Sequence, residues 1–186
     1  MAIKTFTTGE VLTASDTNTY LANSGLVFIA STTFSASTGV EMSNCFSSTY
    51  DNYEVHLTYY GSAATNTNYQ LMTGTNTKDG SATYNRYGFY WLAGLTAFDS
   101  ASQVQFFVSN HGTTAGSYSN AKSTFFRPNV ASVKTEVRHN SYSGDSNLTT
   151  YLDMTTTATT AYTGLYLFPG SGNITGTITI YGYRKP

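Results

Sequence analysis

Nucleophile-and-base chemistry in this chain is limited by its bases. Three histidines, His56, His111 and His139, stand among 21 serines and 33 threonines, with one cysteine, Cys45. No serine sits in a G-x-S-x-G elbow, the sharp turn that exposes a hydrolase nucleophile. His56 falls on the polar side of an alternating segment and His111 in the turn-like run Ser109-Asn110-His111-Gly112, so both read as surface or hydrogen-bonded histidines. A structural zinc site wants four clustered Cys or His ligands, which this supply does not offer. Asn76–Gly80 and Ser143–Asn147 carry oxygen ligands, but neither has the spacing of an EF-hand loop, and both read as ordinary turns. A pair of carboxylates could cleave a glycosidic bond. Nothing selects two of the ten acids for it, and no phosphate-cradling loop is present. The expectation is a chain with no catalytic residues, no metal and no cofactor, and hence not an enzyme.

Sugar recognition has better material. Carbohydrates lay their C–H faces on aromatic rings and exchange hydrogen bonds with amides and charged groups. Tyr84-Asn85-Arg86-Tyr87-Gly88-Phe89-Tyr90-Trp91 is the densest such segment and holds the single tryptophan. Tyr84, Arg86, Tyr90 and Trp91 are its candidate ligand contacts. In a strand, however, Tyr87, Phe89 and Trp91 share one face, and the plainer reading makes that face core.

The elements that must hold these residues are strands. Only 10% of the chain is charged, against about 25% in an ordinary soluble domain. Thr, Tyr (16) and Phe (11) abound, and these types suit a pleated, half-buried surface. Ten strands are predicted: 27–34, 53–60, 69–73, 87–92, 103–108, 117–126, 133–142, 148–154, 162–168 and 174–183. Tyr53-Glu54-Val55-His56-Leu57-Thr58-Tyr59 alternates apolar with polar, and so does Ile174 to Tyr183. Turn signals separate them at Lys78-Asp79-Gly80, Ser109–Gly112, Ser143-Gly144-Asp145 and Pro169–Gly172. Short strands at this spacing without helices between them predict an all-β fold, an antiparallel, jelly-roll-like β-sandwich over residues 26–186. Residues 1–25 differ. They read as an arm with one short helix over Ser15–Asn23, N-capped by Ser15 and stopped at Gly25. Met1–Glu10 lacks the apolar stretch of a signal peptide, and no run approaches the roughly 18 apolar residues of a membrane span. Cys45 has no partner for a disulfide and reads as a small buried hydrophobe.

Charge is also unevenly placed. None lies between Asp99 and Lys122 or between Asp153 and Arg184, and net charge is −1. No basic surface for nucleic acid can be assembled from this. Hydroxyls, amides and tyrosines must cover the domain. Such a face is either simply neutral and soluble, or buried against copies of itself, where charge is depleted and Tyr enriched.

The run Phe6-Thr7-Thr8-Gly9-Glu10-Val11-Leu12-Thr13-Ala14-Ser15-Asp16-Thr17-Asn18-Thr19-Tyr20-Leu21 resembles a segment that opens many small structural proteins of tailed bacteriophages, roughly F-x-x-G-x-x-L-T-A-x-D-x-N-x-x-L. Gly176-Thr177-Ile178-Thr179-Ile180-Tyr181-Gly182-Tyr183 is similar to the closing strand of such proteins. The resemblance covers about 25 residues. It implies a virion component of the tail-fibre, tail-tip or capsid-surface type, usually oligomeric and often trimeric. The arm would dock it, with Phe6, Val11, Leu12, Asp16, Asn18, Tyr20 and Leu21 as the contact residues. The partners implied are further copies in a homotrimer, other virion proteins of tail or capsid, and a glycan of the host surface, with neither nucleic acid nor membrane insertion. The alternative is a head fibre or decoration protein adorning the capsid. A glycan-binding receptor module and a glycan-cleaving enzyme follow after those.

Overall fold

β3 (Tyr50–Gly61) shows why this sequence makes sheets. Tyr53, Val55, Leu57 and Tyr59 are 0–1% exposed and form one face. The intervening residues lie on the other face, as a two-residue repeat demands. The computed structural model describes residues 7–11, 13–16, 25–81, 83–91, 94–111, 113 and 117–184, with the main chain alone at Asp16, Phe98 and Arg184.

The other strands are β1 (Leu26–Ser37), β2 (Val40–Met42), β4 (Thr65–Gly74), β5 (Thr77–Lys78), β6 (Tyr84–Trp91), β7 (Leu95–Gln103), β8 (Phe106–His111), β9 (Ser119–Phe126), β10 (Glu136–Ser143), β11 (Leu148–Thr156), β12 (Gly164–Pro169) and β13 (Ile174–Arg184). They form two antiparallel sheets. The larger has eight strands in the order β1-β13-β3-β9-β10-β11-β6-β7. The smaller runs β2-β12-β4-β5, with β8 on the same side of β4 as β5. The expected all-β antiparallel sandwich is the fold observed.

Five elements differ from expectation. β2, β5 and β7 have no counterpart in the sequence reading. Of the turn expected at Ser109–Gly112, the first three residues instead end β8, because Ser109, Asn110 and His111 pair with Thr67, Asn66 and Thr65 of β4, and Gly112 lies outside the described residues. Ladder pairing overrides the turn preference of Asn and His. The nine-residue helix over Ser15–Asn23 is not seen. A single helical turn, Ala14–Asp16, is the one helical segment among the described residues, and 17–24 lie outside them.

The core lies between the sheets. Phe46, Tyr53, Tyr69, Phe106, Phe125, Leu165 and Ile178 are 0–2% exposed. Burying such a side chain contributes about 1.5–3 kcal/mol. Tyr53 serves here because its hydroxyl reaches polar main chain. Tyr53 donates to the Ser47 carbonyl and accepts from the Ser47 amide, each at 2.7 Å. Cys45 is buried as expected. Its thiol donates to the Met42 carbonyl at 3.1 Å, and burial pushes its pKa up to about 12, so it is an inert thiol.

His139 is fully enclosed. Its Nε2 donates to the Val108 carbonyl at 2.6 Å, so its Nδ1 accepts from the Ser123 hydroxyl at 2.8 Å. Burial holds its pKa down at about 4, a neutral ring with one fixed tautomer. Ser123 and His139 thus tie the large sheet to β8, and the pair is structural.

Candidate functional site

Strand β6 presents two different surfaces. Its odd residues Tyr87, Phe89 and Trp91 are 46%, 43% and 58% exposed. This corrects the reading of those three as core. The segment is aromatic on both faces, so alternation alone does not say which side is inward. The even residues Tyr84, Arg86 and Tyr90 turn toward the second sheet.

The four candidate ligand contacts therefore separate. Tyr84 is wholly buried, donating to the Asp79 carbonyl at 3.1 Å and accepting from the Leu71 amide at 3.2 Å. It packs edge-on against Phe106 at 4.6 Å between ring centres. Trp91 stands on the outer face. Arg86 and Tyr90 remain together on the inner side.

The outer face is an aromatic strip with polar flanks. Phe89 lies opposite Tyr151 of β11, their rings 5.3 Å apart. Trp91 lies opposite Leu95, itself 64% exposed. A shallow hollow of about 380 Å³ beside the strip is lined by Phe89, Tyr151, Lys122, Asn140, Arg138 and Asp153. Arg138 and Asp153 make an ion pair at 3.5 Å, but both side chains are more than three-quarters exposed, so the pair adds little stability. Further along this face the Glu54 carboxylate, 3% exposed, receives His56 Nε2 at 2.5 Å, Lys122 Nζ at 2.9 Å and the Tyr183 hydroxyl at 2.5 Å. Burial alone would raise its pKa. The Tyr183, Lys122 and His56 donors outweigh that and hold it at about 2.

On the inner side is a more enclosed cleft of about 270 Å³, lined by Asn66, Arg86, Tyr90, Phe107, Asn110, Leu148 and Thr150. Four strands build it. Tyr90 of β6 pairs with Thr150 of β11, and Asn66 of β4 pairs with Asn110 of β8. Arg86 Nη2 donates to Gln103 Oε1 at 2.7 Å, which fixes the guanidinium. Desolvation lowers the Arg86 pKa. Thr150 is fully buried, and neither its hydroxyl nor Asn110 Oδ1 has a hydrogen-bond partner. Asn66, Phe107, Asn110 and Thr150 escaped the sequence reading because no spacing rule joins residues on separate strands. The shared parity of Arg86 and Tyr90 was the one available signal.

The docking-arm residues are placed only in part. Thr7–Val11 and Thr13–Ser15 are exposed, Val11 at 79%. Gly9, at φ 87°, turns the chain so that the Glu10 amide reaches the Thr7 carbonyl at 3.0 Å and the Glu10 carboxylate accepts from the Thr7 amide at 3.1 Å. That turn gives the Gly-Glu pair of the motif a local reason. Asp16 lies in the short helical turn. Phe6, Leu12, Asn18, Tyr20 and Leu21 lie outside the described residues.

Among the described residues no three His, Cys, Asp or Glu side chains cluster as a metal site would require. Nor is any described helix long and apolar enough to cross a membrane. No family model matches the chain, and no curated protein matches it. A crystal structure of a protein of unknown function from Shewanella oneidensis MR-1 is similar over 97% of this chain and 99% of that one, at 10% identity and a TM-score of 0.28. A likeness of that size carries neither fold nor function across.

Proposed function

We propose that this chain is a structural, non-enzymatic component of a tailed-bacteriophage virion. In this reading the β-sandwich rides on an N-terminal docking arm and assembles as a homotrimer beside the tail or a fibre, where it contacts the host surface. The observation that carries it is the arm. The described part of the phage-like motif is exposed, holds an apolar Val11 in solvent and adds nothing to the core, whose first member is Phe34. An exposed apolar residue on a segment outside the core is what a docking peptide needs. The outer strip of Tyr87, Phe89, Trp91 and Leu95 is the matching candidate for contact between copies, since exposed aromatic patches with a polar rim favour association.

Removing residues 1–25 tests this. The truncated protein should keep its thermal unfolding transition and lose incorporation into particles in a complementation assay. Normal incorporation of the truncated chain would sink the arm reading.

A further inference from the structure

We propose that the outer face of the large sheet binds an uncharged polysaccharide chain, several sugars long, laid along β10. This deepens the host-contact part of the reading above and rests on it for the source of the glycan.

Three shallow hollows lie end to end on that face. One of about 440 Å³ shares Lys122, Asn140 and Tyr151 with the hollow of about 380 Å³ beside the aromatic strip. The latter shares Arg138 and Asp153 with a third, of about 530 Å³. Together they make one trough that follows β10 from Tyr142 to Glu136. At a rise of about 3.4 Å per residue, that stretch of strand spans about 20 Å. The length suits several sugars in a row.

The lining alternates rings with polar groups. Tyr142 stands between Asn120 of β9 and Thr149 of β11. One row along, Asn140 stands between Lys122 and Tyr151, and Phe89 follows beyond Tyr151. Tyr142 and Tyr151 are 46% and 45% exposed, so ring surface remains to be covered. The exposed Asn140 amide can both donate and accept. A sugar carries the same alternation, with apolar C–H faces inside a rim of hydroxyls.

Charge decides against other occupants. Lys122 is paired with Glu54 at 2.9 Å and Arg138 with Asp153 at 3.5 Å. These charges cancel, so an acidic chain gains no net attraction. The same ionic groups in mid-trough argue against a second copy, because the centre of a protein–protein contact is depleted of charge. Trp91 and the adjoining Leu95 lie toward the β7 edge, where contact between copies needs no trough residue.

The test is an amide chemical-shift titration of the labelled full-length protein with linear hexasaccharides. The neutral probes are cellohexaose, maltohexaose, mannohexaose and N-acetylchitohexaose, set against glucose and an oligogalacturonate of equal length. At least one neutral hexasaccharide should shift the amides of Lys122, Asn140, Tyr142 and Tyr151. It should bind at least about tenfold more tightly than glucose or the oligogalacturonate. Tyr151→Ala should weaken it by about tenfold, and Asn140→Ala by a few fold. Leu95→Glu, aimed at the contact between copies, should bind as the parent does, and the spectrum itself reports that each variant is folded. The proposal is overturned if no neutral hexasaccharide shifts the trough, if glucose or the acidic chain binds as tightly, or if folded Tyr151→Ala binds as the parent does. Binding by Leu95→Glu but not by the parent would make the trough an interface between copies and overturn it too. Such a failure would leave arm docking standing. Loss of arm docking would leave the titration unaffected.

Discussion

Tyr183 donates its hydroxyl to the Glu54 carboxylate at 2.5 Å, tying β13 to the neighbouring β3 on the outer face of the large sheet. With His56 and Lys122 on the same carboxylate, a nearly buried charge is fully engaged.

That bond predicts the acid limit of the fold. Glu54 has its pKa lowered to about 2 in the folded chain, against 4.5 for the free side chain. A lowered carboxylate pKa means the unfolded chain binds the proton first. The stability it contributes is therefore present above about pH 4.5 and is lost as pH falls toward 2. Glu54→Gln should cost about 2 kcal/mol at neutral pH, the scale of hydrogen bonds to a charged group. It should also flatten this window in urea titrations run at stepped pH. A slope unchanged in the variant would refute the assignment.

His139 governs a second, milder window. Its pKa is held at about 4 rather than 6.5, so the unfolded chain takes up the proton first as pH drops. Stability should decline between about pH 6.5 and 4 and level off below. His139→Gln should remove that decline while lowering stability overall, as followed by calorimetry across the same range. Ring-nitrogen NMR should show a neutral Nε2-protonated imidazole at pH 6.

Substitutions along β6 should sort by parity. Trp91→Ala, on the exposed side, should change the unfolding free energy of the isolated subunit by no more than about 0.5 kcal/mol. Tyr84→Ala, on the buried side, should cost about 3–5 kcal/mol. Tyr84→Phe, which keeps the ring and loses two hydrogen bonds, should cost about 1–3 kcal/mol. Chemical denaturation of the three variants checks the order, and a destabilised Trp91→Ala would put the tryptophan in the core.

Gly176 is required by its neighbours. A methyl group there would collide with the Thr58 carbonyl oxygen and stand 2.7 Å from the Tyr59 Cα. Both are main-chain atoms of β3 and cannot swing aside. Gly176→Ala should therefore abolish folding or cost several kcal/mol, whereas Gly94→Ala, with open space around it, should be tolerated. Expression level and melting temperature of the two variants decide the matter.

Light scattering tests the assembly. A homotrimer of 20.1 kDa chains would weigh about 60 kDa. Arginine or glutamate in place of Trp91 or Leu95 should dissociate it if the outer strip is the contact. A monomer at every concentration would refute self-association.

Much of the fold was legible because β3 and β13 alternate apolar or small residues with polar ones, and because turn signals bound the other β-rich runs. β7 was not, since Leu95-Thr96-Ala97-Phe98-Asp99-Ser100-Ala101-Ser102-Gln103 mixes small and polar residues without strong β preference. It is a strand because β6 offers it a ladder. β8 was misread at its end for the converse reason: Asn110 and His111 favour turns locally, and pairing with β4 outweighs them. At the cleft only Arg86 and Tyr90 were visible together. Asn66, Phe107, Asn110 and Thr150 reach it from other strands, and such meetings depend on strand order, which composition and periodicity do not encode.

The place of β13 has a consequence for how the molecule comes into being. It lies between β1 and β3, so residues near Leu26 and Tyr183 become neighbours only after everything between them has been synthesised. Until then β1 has no ladder partner in the large sheet, and the β13-facing side of β3 is an open edge. Contacts so distant along the chain close late and slowly, because loop entropy must be overcome before they reward it. A polypeptide that lacks β13 keeps that edge unpaired, available to proteases and to other chains.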